Sequence, residues 1–141
     1  MRPRIIFRCK ISNSFNCMDA NQLLVKAGVG ALVIRDGKIL FAQRTGSHGE
    51  GTWGSFGGHI EFGETPTEAL MREAKEEIGV EIRVLRFLYC GNLFFKGKQY
   101  IDIEFLAEIV SGEPTPQEPD RVKEVRWCSL DDLPGEIFTP L

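Results

Sequence analysis

The chain has 141 residues, of which 43 % are apolar and 26 % charged, and a formal charge of −3. That is enough for one domain with a real core, and no apolar run approaches the roughly 20 residues of a membrane span. The charge is uneven: residues 1–17 hold Arg2, Arg4, Arg8 and Lys10 and no acid, which leaves −7 on the rest. An acidic body argues against nucleic acid as the main ligand and means that a polyphosphate needs cations to approach. Cys9, Cys17, Cys90 and Cys128 form no CxxC pair, and His48 and His59 are the only histidines. Zinc therefore has poor support, a reduced cytoplasmic compartment is the simplest reading, and Cys90 and Cys128 read as buried packing residues.

In chain order, residues 1–17 read as a basic, disordered tail ahead of a folded domain over 18–141, or as a segment upstream of a start at Met18. A transit peptide is disfavoured because no sustained amphipathic helix follows. Val25 to Arg35 reads as a largely buried strand, Asp36-Gly37 as a tight turn and Lys38 to Arg44 as the returning strand. Thr45 to Thr52 holds three glycines and no apolar residue, a loop beside the coming site. Trp53 and Phe56 flank a short segment that delivers Gly57-Gly58.

Thr65 then offers an N-cap, Pro66 the first helical position and Glu68 the second half of a capping box. Gly79 suits a left-handed C-cap, so the spacing predicts a helix over 66–78. Leu70, Met71, Ala74 and Ile78 share the arc expected to face the core, while Glu73, Glu76 and Glu77 share the neighbouring one at i, i+3 and i+4. Three carboxylates so placed repel unless a cation compensates. Oxygen-only ligands of this kind suit Mg²⁺ or Mn²⁺ held with waters and substrate phosphates, and the plain alternative is a solvated acidic face laced by Arg72 and Lys75. Beyond the helix, Glu81 to Phe95 reads as a strand and Lys96-Gly97-Lys98 as a hairpin turn. Tyr100 to Val110 reads as a strand with Ile101, Ile103, Phe105 and Ala107 on one face. Ser111 to Asp120 is a loop, Val122 to Cys128 a last strand, and Leu130 to Pro134 a turn or short helix.

Gly58, Glu64, Arg72-Glu73, Glu76-Glu77 and Gly79, with an apolar residue at Ala74 and at Val80, resemble the Nudix box at every fixed position. Seven specified residues coincide by chance roughly once in 10⁸ starting positions. The likeness extends over about residues 24–135 and is greatest to the MutT-type nucleoside triphosphate pyrophosphohydrolases. It implies an α/β (α+β) fold, a Nudix-type α/β/α sandwich with a mixed β-sheet and helices on both sides, although Gly135 to Leu141 is short for the family's last helix. Phe56 stands where the family usually has proline.

The resemblance also implies an activity: hydrolysis of a nucleoside diphosphate linked to another group, foremost a (d)NTP cut to the monophosphate and pyrophosphate. ADP-ribose or a dinucleotide is the alternative substrate, and a non-catalytic nucleotide sensor the alternative class. The substrate is a small nucleotide, and a homodimer is left open. Glu76 and Glu77 would hold Mg²⁺ (or Mn²⁺) with the carbonyl of Gly57 and with Glu73, which could instead serve the attacking water. Arg72 would fix the carboxylates, Glu64 would bind an extra cation or anchor the others, and Gly58 and Gly63 would shape the backbone. Many relatives place a metal-binding glutamate six residues before the last strand's tryptophan; here that position, counted from Trp127, is Arg121, so Glu118 in the loop is the substitute ligand and Arg121 a phosphate-steering charge. Outside the box, Arg44 is a phosphate clamp or a surface ion pair. Trp53, Phe95 and Tyr100 are base-stacking aromatics or packing residues, and His59 is a structural residue turned into the loop.

Overall fold

Residues 24–46 and 49–138 are described in the structure, a computed structural model. The expected tail, 1–17, lies outside the described residues, with Cys9, Cys17 and His48. The described chain runs β1 (Val25–Arg35), β2 (Lys38–Arg44), β3 (Trp53–Gly54), β4 (Phe56–His59), α1 (Pro66–Ile78), β5 (Glu81–Phe95), β6 (Lys98–Ser111) and β7 (Val122–Cys128). The two hairpin turns obey one rule. Asp36 and Gly37 lie at φ 50° and 74°, and Lys96 and Gly97 at 47° and 74°, the paired positive φ that matches strand twist in a two-residue turn.

β1 is the shared strand of a mixed sheet. Val25 to Val33 run parallel to Gln99 to Ala107 of β6, while Gly28 to Ala31 pair antiparallel with His59 to Phe56 of β4. The last two residues of β1 turn to β2, which carries β3 and β7, and β5 closes the other edge on β6. A parallel β1–β6 pair needs a crossover, and α1 lies in it.

The ends of α1 follow the sequence. Thr65 accepts from the Glu68 amide while Glu68 reaches back to the Thr65 amide, and Gly79 ends the helix at φ 70°. The helix buries Ala69, Leu70, Ala74 and Ile78 against Val29, Ala31, Val33, Phe56, Phe105 and Ala107. Met71, expected in that arc, is half exposed, and the arc is instead completed by Glu73 and Glu77, 4 % and 5 % exposed. One step of about 100° decides this: rolling Met71 outwards carries the two acids under the sheet. Cys128 is buried as expected, but Cys90 is exposed, because β5 is an edge strand. Leu130 to Pro134 forms a turn, so α1 is the one helix among the described residues. In place of a longer terminal layer, the chain returns beside β3, where the Trp53 amide donates to Glu136 O and the Phe138 amide to Trp53 O, at 2.8 and 2.9 Å.

Candidate active site

Arg72 is the hub of the helix side. Its Nε and Nη2 donate to the two oxygens of Glu64 at 2.7 and 3.0 Å, Nη1 donates to Glu73 at 2.8 Å and to Glu76 at 3.1 Å, and Nη2 also donates to the His59 carbonyl at 3.0 Å. All five guanidinium N–H groups are thereby engaged. Hydrogen bonds to Glu64 come first among the causes that raise the Arg72 pKa, and the same pair holds Glu64 below the usual carboxylate range. Of the two expectations for Glu64, its contacts are those of an anchor: one carboxylate fixes the fork whose other tine holds Glu73 and Glu76.

Glu77 takes no part in that fork. It turns to the strand, where the Gly57 amide donates to Oε2 at 3.1 Å. Burial raises its pKa to about 7; the Gly57 bond opposes the shift and the neighbouring Glu73 adds to it. Two glycines make the approach of the helix acids feasible. Gly57 sits at φ 150°, and a Cβ there would fall on the Val29 carbonyl. Gly58 has no such torsion; a Cβ there would fall on the Glu73 carboxylate. Its requirement is contact, not the backbone shape that the sequence suggests.

The opposite face of the sheet brings together residues that the box does not contain. Strand register places Tyr100, Asp102 and Glu104 of β6 beside Lys26, Gly28 and Gly30 of β1, and His59 and Gly57 of β4 continue the rows past Gly28 and Gly30. Arg44 belongs to this group. Burial lowers its pKa, and the charges of Glu77, Asp102 and Glu104 oppose that, so this cation is within electrostatic reach of one helix acid and of both sheet acids. Asp102 and Glu104 both have pKa values raised by burial, Glu104 to about 7, where the Ser55 hydroxyl bond at 2.9 Å works against the shift. Arg121 arrives from the neighbouring strand end: Val122 pairs with Arg44, and Thr45 N donates to Arg121 O at 2.9 Å. Its charge lowers the pKa of both Glu77 and His59.

Asp102, Glu104 and Ser55 are the residues that the sequence reading misses. The signal is present as two acids alternating with Ile101, Ile103 and Phe105, but in an isolated strand that alternation means a solvent face. Only the strand order makes β6 an inner strand, with Asp102 and Glu104 laid over Gly28 and Gly30 of its neighbour.

Other expectations need correction. Trp53 offers no stacking face: it is 4 % exposed, with Arg126 5.0 Å from its ring centroid. Phe95 meets Phe138 edge-on at 6.0 Å, and Phe138 in turn lies 4.5 Å from the Arg44 guanidinium carbon. His59 does not turn into the loop; its ring stacks on Tyr100 at 6.0 Å and 21°, which leaves Tyr100 as the stacking candidate on the sheet. Glu118 pairs with Arg121 at 3.7 Å rather than joining the helix acids. Its loop is also tied down, with Gln117 N donating to Glu77 O at 2.8 Å and Thr115 N to Ile78 O at 2.9 Å.

Among the described residues, no three His, Cys, Asp or Glu side chains converge tightly enough to hold a metal ion as they stand. The reason is visible: Arg72 holds Glu73 and Glu76, and Gly57 holds Glu77. The donor set nevertheless fits a hard divalent cation. It is all oxygen, it contains two buried acids that repel each other, and Glu76, with a side chain 47 % exposed and a single i,i+4 bond to Arg72, is free to change partner.

A helix carrying Arg-clamped glutamates, crossing over a mixed sheet whose other face holds a cation beside two acids, defines an α/β protein suited to handling phosphate. The NUDIX domain family matches residues 25–140, and the chain belongs to that family. The NAD-capped RNA hydrolase NudC of Pseudomonas aeruginosa is 37 % identical over 103 residues, which are 73 % of this chain and 36 % of that protein. The oxidized purine nucleoside triphosphate hydrolase of Danio rerio is 32 % identical over 107 residues, 73 % of this chain and 65 % of that one. The chain thus spans little more than a third of the NudC length. Among solved structures, a MutT NUDIX hydrolase from Burkholderia pseudomallei superimposes with a TM-score of 0.74 at 35 % identity, over 81 % of this chain and 90 % of that one. A UDP-X diphosphatase gives 0.69 at 26 % identity, over 82 % and 56 %. Divalent cations belong to the chemistry of this family, in keeping with the donor set. No helix among the described residues is long and apolar enough to cross a membrane.

Proposed function

We propose that this protein is a pyrophosphohydrolase that cuts the phosphoanhydride of a nucleoside diphosphate joined to a second group, with Mg²⁺ or Mn²⁺ as cofactor. The observation that carries the reading is the opposition of charges about Glu77. Glu73 and Glu76 stand beside it on the helix, while Arg44 and Arg121 act on it from the sheet side. Phosphoryl transfer asks little covalent chemistry of a protein; it asks for positioning and charge neutralisation. Glu76, Glu77, Glu73 and the Gly57 carbonyl would hold the cation, which supplies Lewis acidity and a more acidic water. Arg44 and Arg121 would draw the phosphates towards those acids. Arg72, with Glu64 behind it, fixes the geometry of the carboxylates.

Dinucleotide substrates of the NAD type stand first, supported by the NudC relatives. The (d)NTP reading stands second, supported by the MutT structure, 90 % of which is covered, and by the triphosphatase relative. A nucleotide sensor without turnover is the other class; it has no use for three acids on one side of a helix. The acidic body suits work on small nucleotides. The test is a panel of NAD, ADP-ribose, UDP-sugars and (d)NTPs with Mg²⁺ or Mn²⁺, read by phosphate, pyrophosphate and nucleotide release. Turnover of one class above the rest is expected; binding without turnover of any would leave the sensor.

A further inference from the structure

The sheet face turned away from α1 carries an acid that phosphate chemistry does not call for. Glu104 is 8 % exposed, and burying a carboxyl on an inner strand costs stability unless polar partners meet it. The structure makes room for it at some expense. A Cβ on Gly30 would fall on its carboxylate and lie 2.8 Å from Ser55 Oγ, so the strand gives up a side chain there. Ser55 Oγ donates to Oε1, whereas Oε2 has no hydrogen bond among the described residues. Because no buried side-chain polar atom of the described residues lacks a partner, Oε2 is not fully buried and can meet a ligand. One step along the same face of β6, Asp102 lies 3.5 Å from where a Gly28 Cβ would be. One step further, Tyr100 and His59 present stacked rings. At the other end Arg44 links this row electrostatically to Glu77. The row therefore reads, from the helix outward, as a cation for phosphate, open carboxylate oxygens and a flat aromatic surface.

We infer that Glu104, positioned by Ser55 and flanked by Asp102, is a specificity-determining residue that reads the substrate's base, and that the base presents an exocyclic amine there. Above its pKa of about 7 the Glu104 carboxylate is ionised and only accepts, so there it favours a base edge that donates and rejects a carbonyl in the same place. This rests on the nucleotide reading above. A base lacking the donor leaves the buried acid unmet, and the loss of a hydrogen bond to a charged group is worth about 10- to 100-fold.

The experiment, run at about pH 8 so that Glu104 is ionised, uses two pairs that differ at an exocyclic amine: GTP against ITP, which has hydrogen in its place, and NAD against its hypoxanthine analogue, which has a carbonyl in its place. The kcat/KM ratio within each pair is measured for the wild type, Glu104→Gln and Ser55→Ala, with Tm recorded for each. Where a nucleotide is bound but not turned over, the ratio of Kd values serves instead. The expected result is a wild-type ratio of about tenfold or more in at least one pair. Glu104→Gln should shrink it to near unity and Ser55→Ala should shrink it in part, with Tm little changed. A wild-type ratio near one in both pairs, or a ratio that both variants keep, overturns the inference. So does an equal loss on both members of a pair, which would show that Glu104 serves only to balance Arg44. Failure of the wild type to turn over any nucleotide would strike the hydrolase reading and leave this one to the Kd ratios. If Glu104→Gln does not fold, Ser55→Ala decides.

Discussion

Gly58 and Gly30 lie on paired strands and do the same thing on opposite faces of one sheet. Each omits a side chain so that a glutamate can lie against the backbone: Glu73 on the helix side, Glu104 on the far side. The surroundings differ. On the helix side the acids are held by a saturated arginine, with Glu64, Glu73, Glu76 and a backbone carbonyl all on one guanidinium. On the far side a single serine hydroxyl positions Glu104. A tightly supported constellation suits a reaction common to every substrate, whereas a lightly supported acid suits discrimination, where ligand contacts finish the job.

The largest expected effect breaks the helix side. Glu77→Gln should lose at least ~10²-fold in kcat on every substrate at saturating Mg²⁺, while circular dichroism and Tm show an intact fold. Unchanged turnover would remove the metal-binding role from this helix. The next effect sharpens the comparison directly. Gly58→Ala should displace Glu73 and depress kcat on all substrates by about tenfold or more, since small misplacements of a catalytic group are costly. Gly30→Ala should instead alter the ratios between substrates and leave the best kcat within a few fold. If the two variants show the same profile across a nucleotide panel, the two faces do not have separate duties.

The smallest effect concerns stability. Burial moves the Glu104 pKa from an ordinary 4.5 to about 7. The folded chain therefore holds a proton that the unfolded chain has released. The sign follows: the neutral acid's contribution is complete below about pH 4.5 and is lost as pH rises through about 7. The shift corresponds to something on the order of 3 kcal/mol at most. Metal-free protein should melt higher at pH 5 than at pH 8, and Glu104→Gln should flatten that slope. The slope should not vanish, because Glu77 carries a shift of the same sign. An unaltered Tm-against-pH curve would mean that Glu104 is better solvated than its burial implies.

What the sequence by itself determined is what local rules govern. The ends of α1 follow from Thr65, Glu68, Pro66 and Gly79, which satisfy helix termini without help from the rest of the chain. The strand bounds follow from Asp36-Gly37 and Lys96-Gly97, whose turns fix two hairpins. That Glu73, Glu76 and Glu77 lie on one side of the helix follows from helical spacing alone, although Glu77 then turns to Gly57 while the other two turn to Arg72. What only the tertiary structure decided is which side of each element is inside. Met71 and Glu77 compete for one arc of α1, and the roll of the helix on the sheet settles it. Trp53 reads as a free aromatic until Arg126 and the returning chain enclose it. Asp102 and Glu104 read as a wet strand face until β1 brings Gly28 and Gly30, and with them Ser55, beside β6. Arg44, Arg121 and Glu77, far apart in sequence, share a site only because β2 pairs with β7 beside the helix. Burial and long-range pairing are properties of neighbours, and a strand's alternation names its two faces without saying which of them meets water.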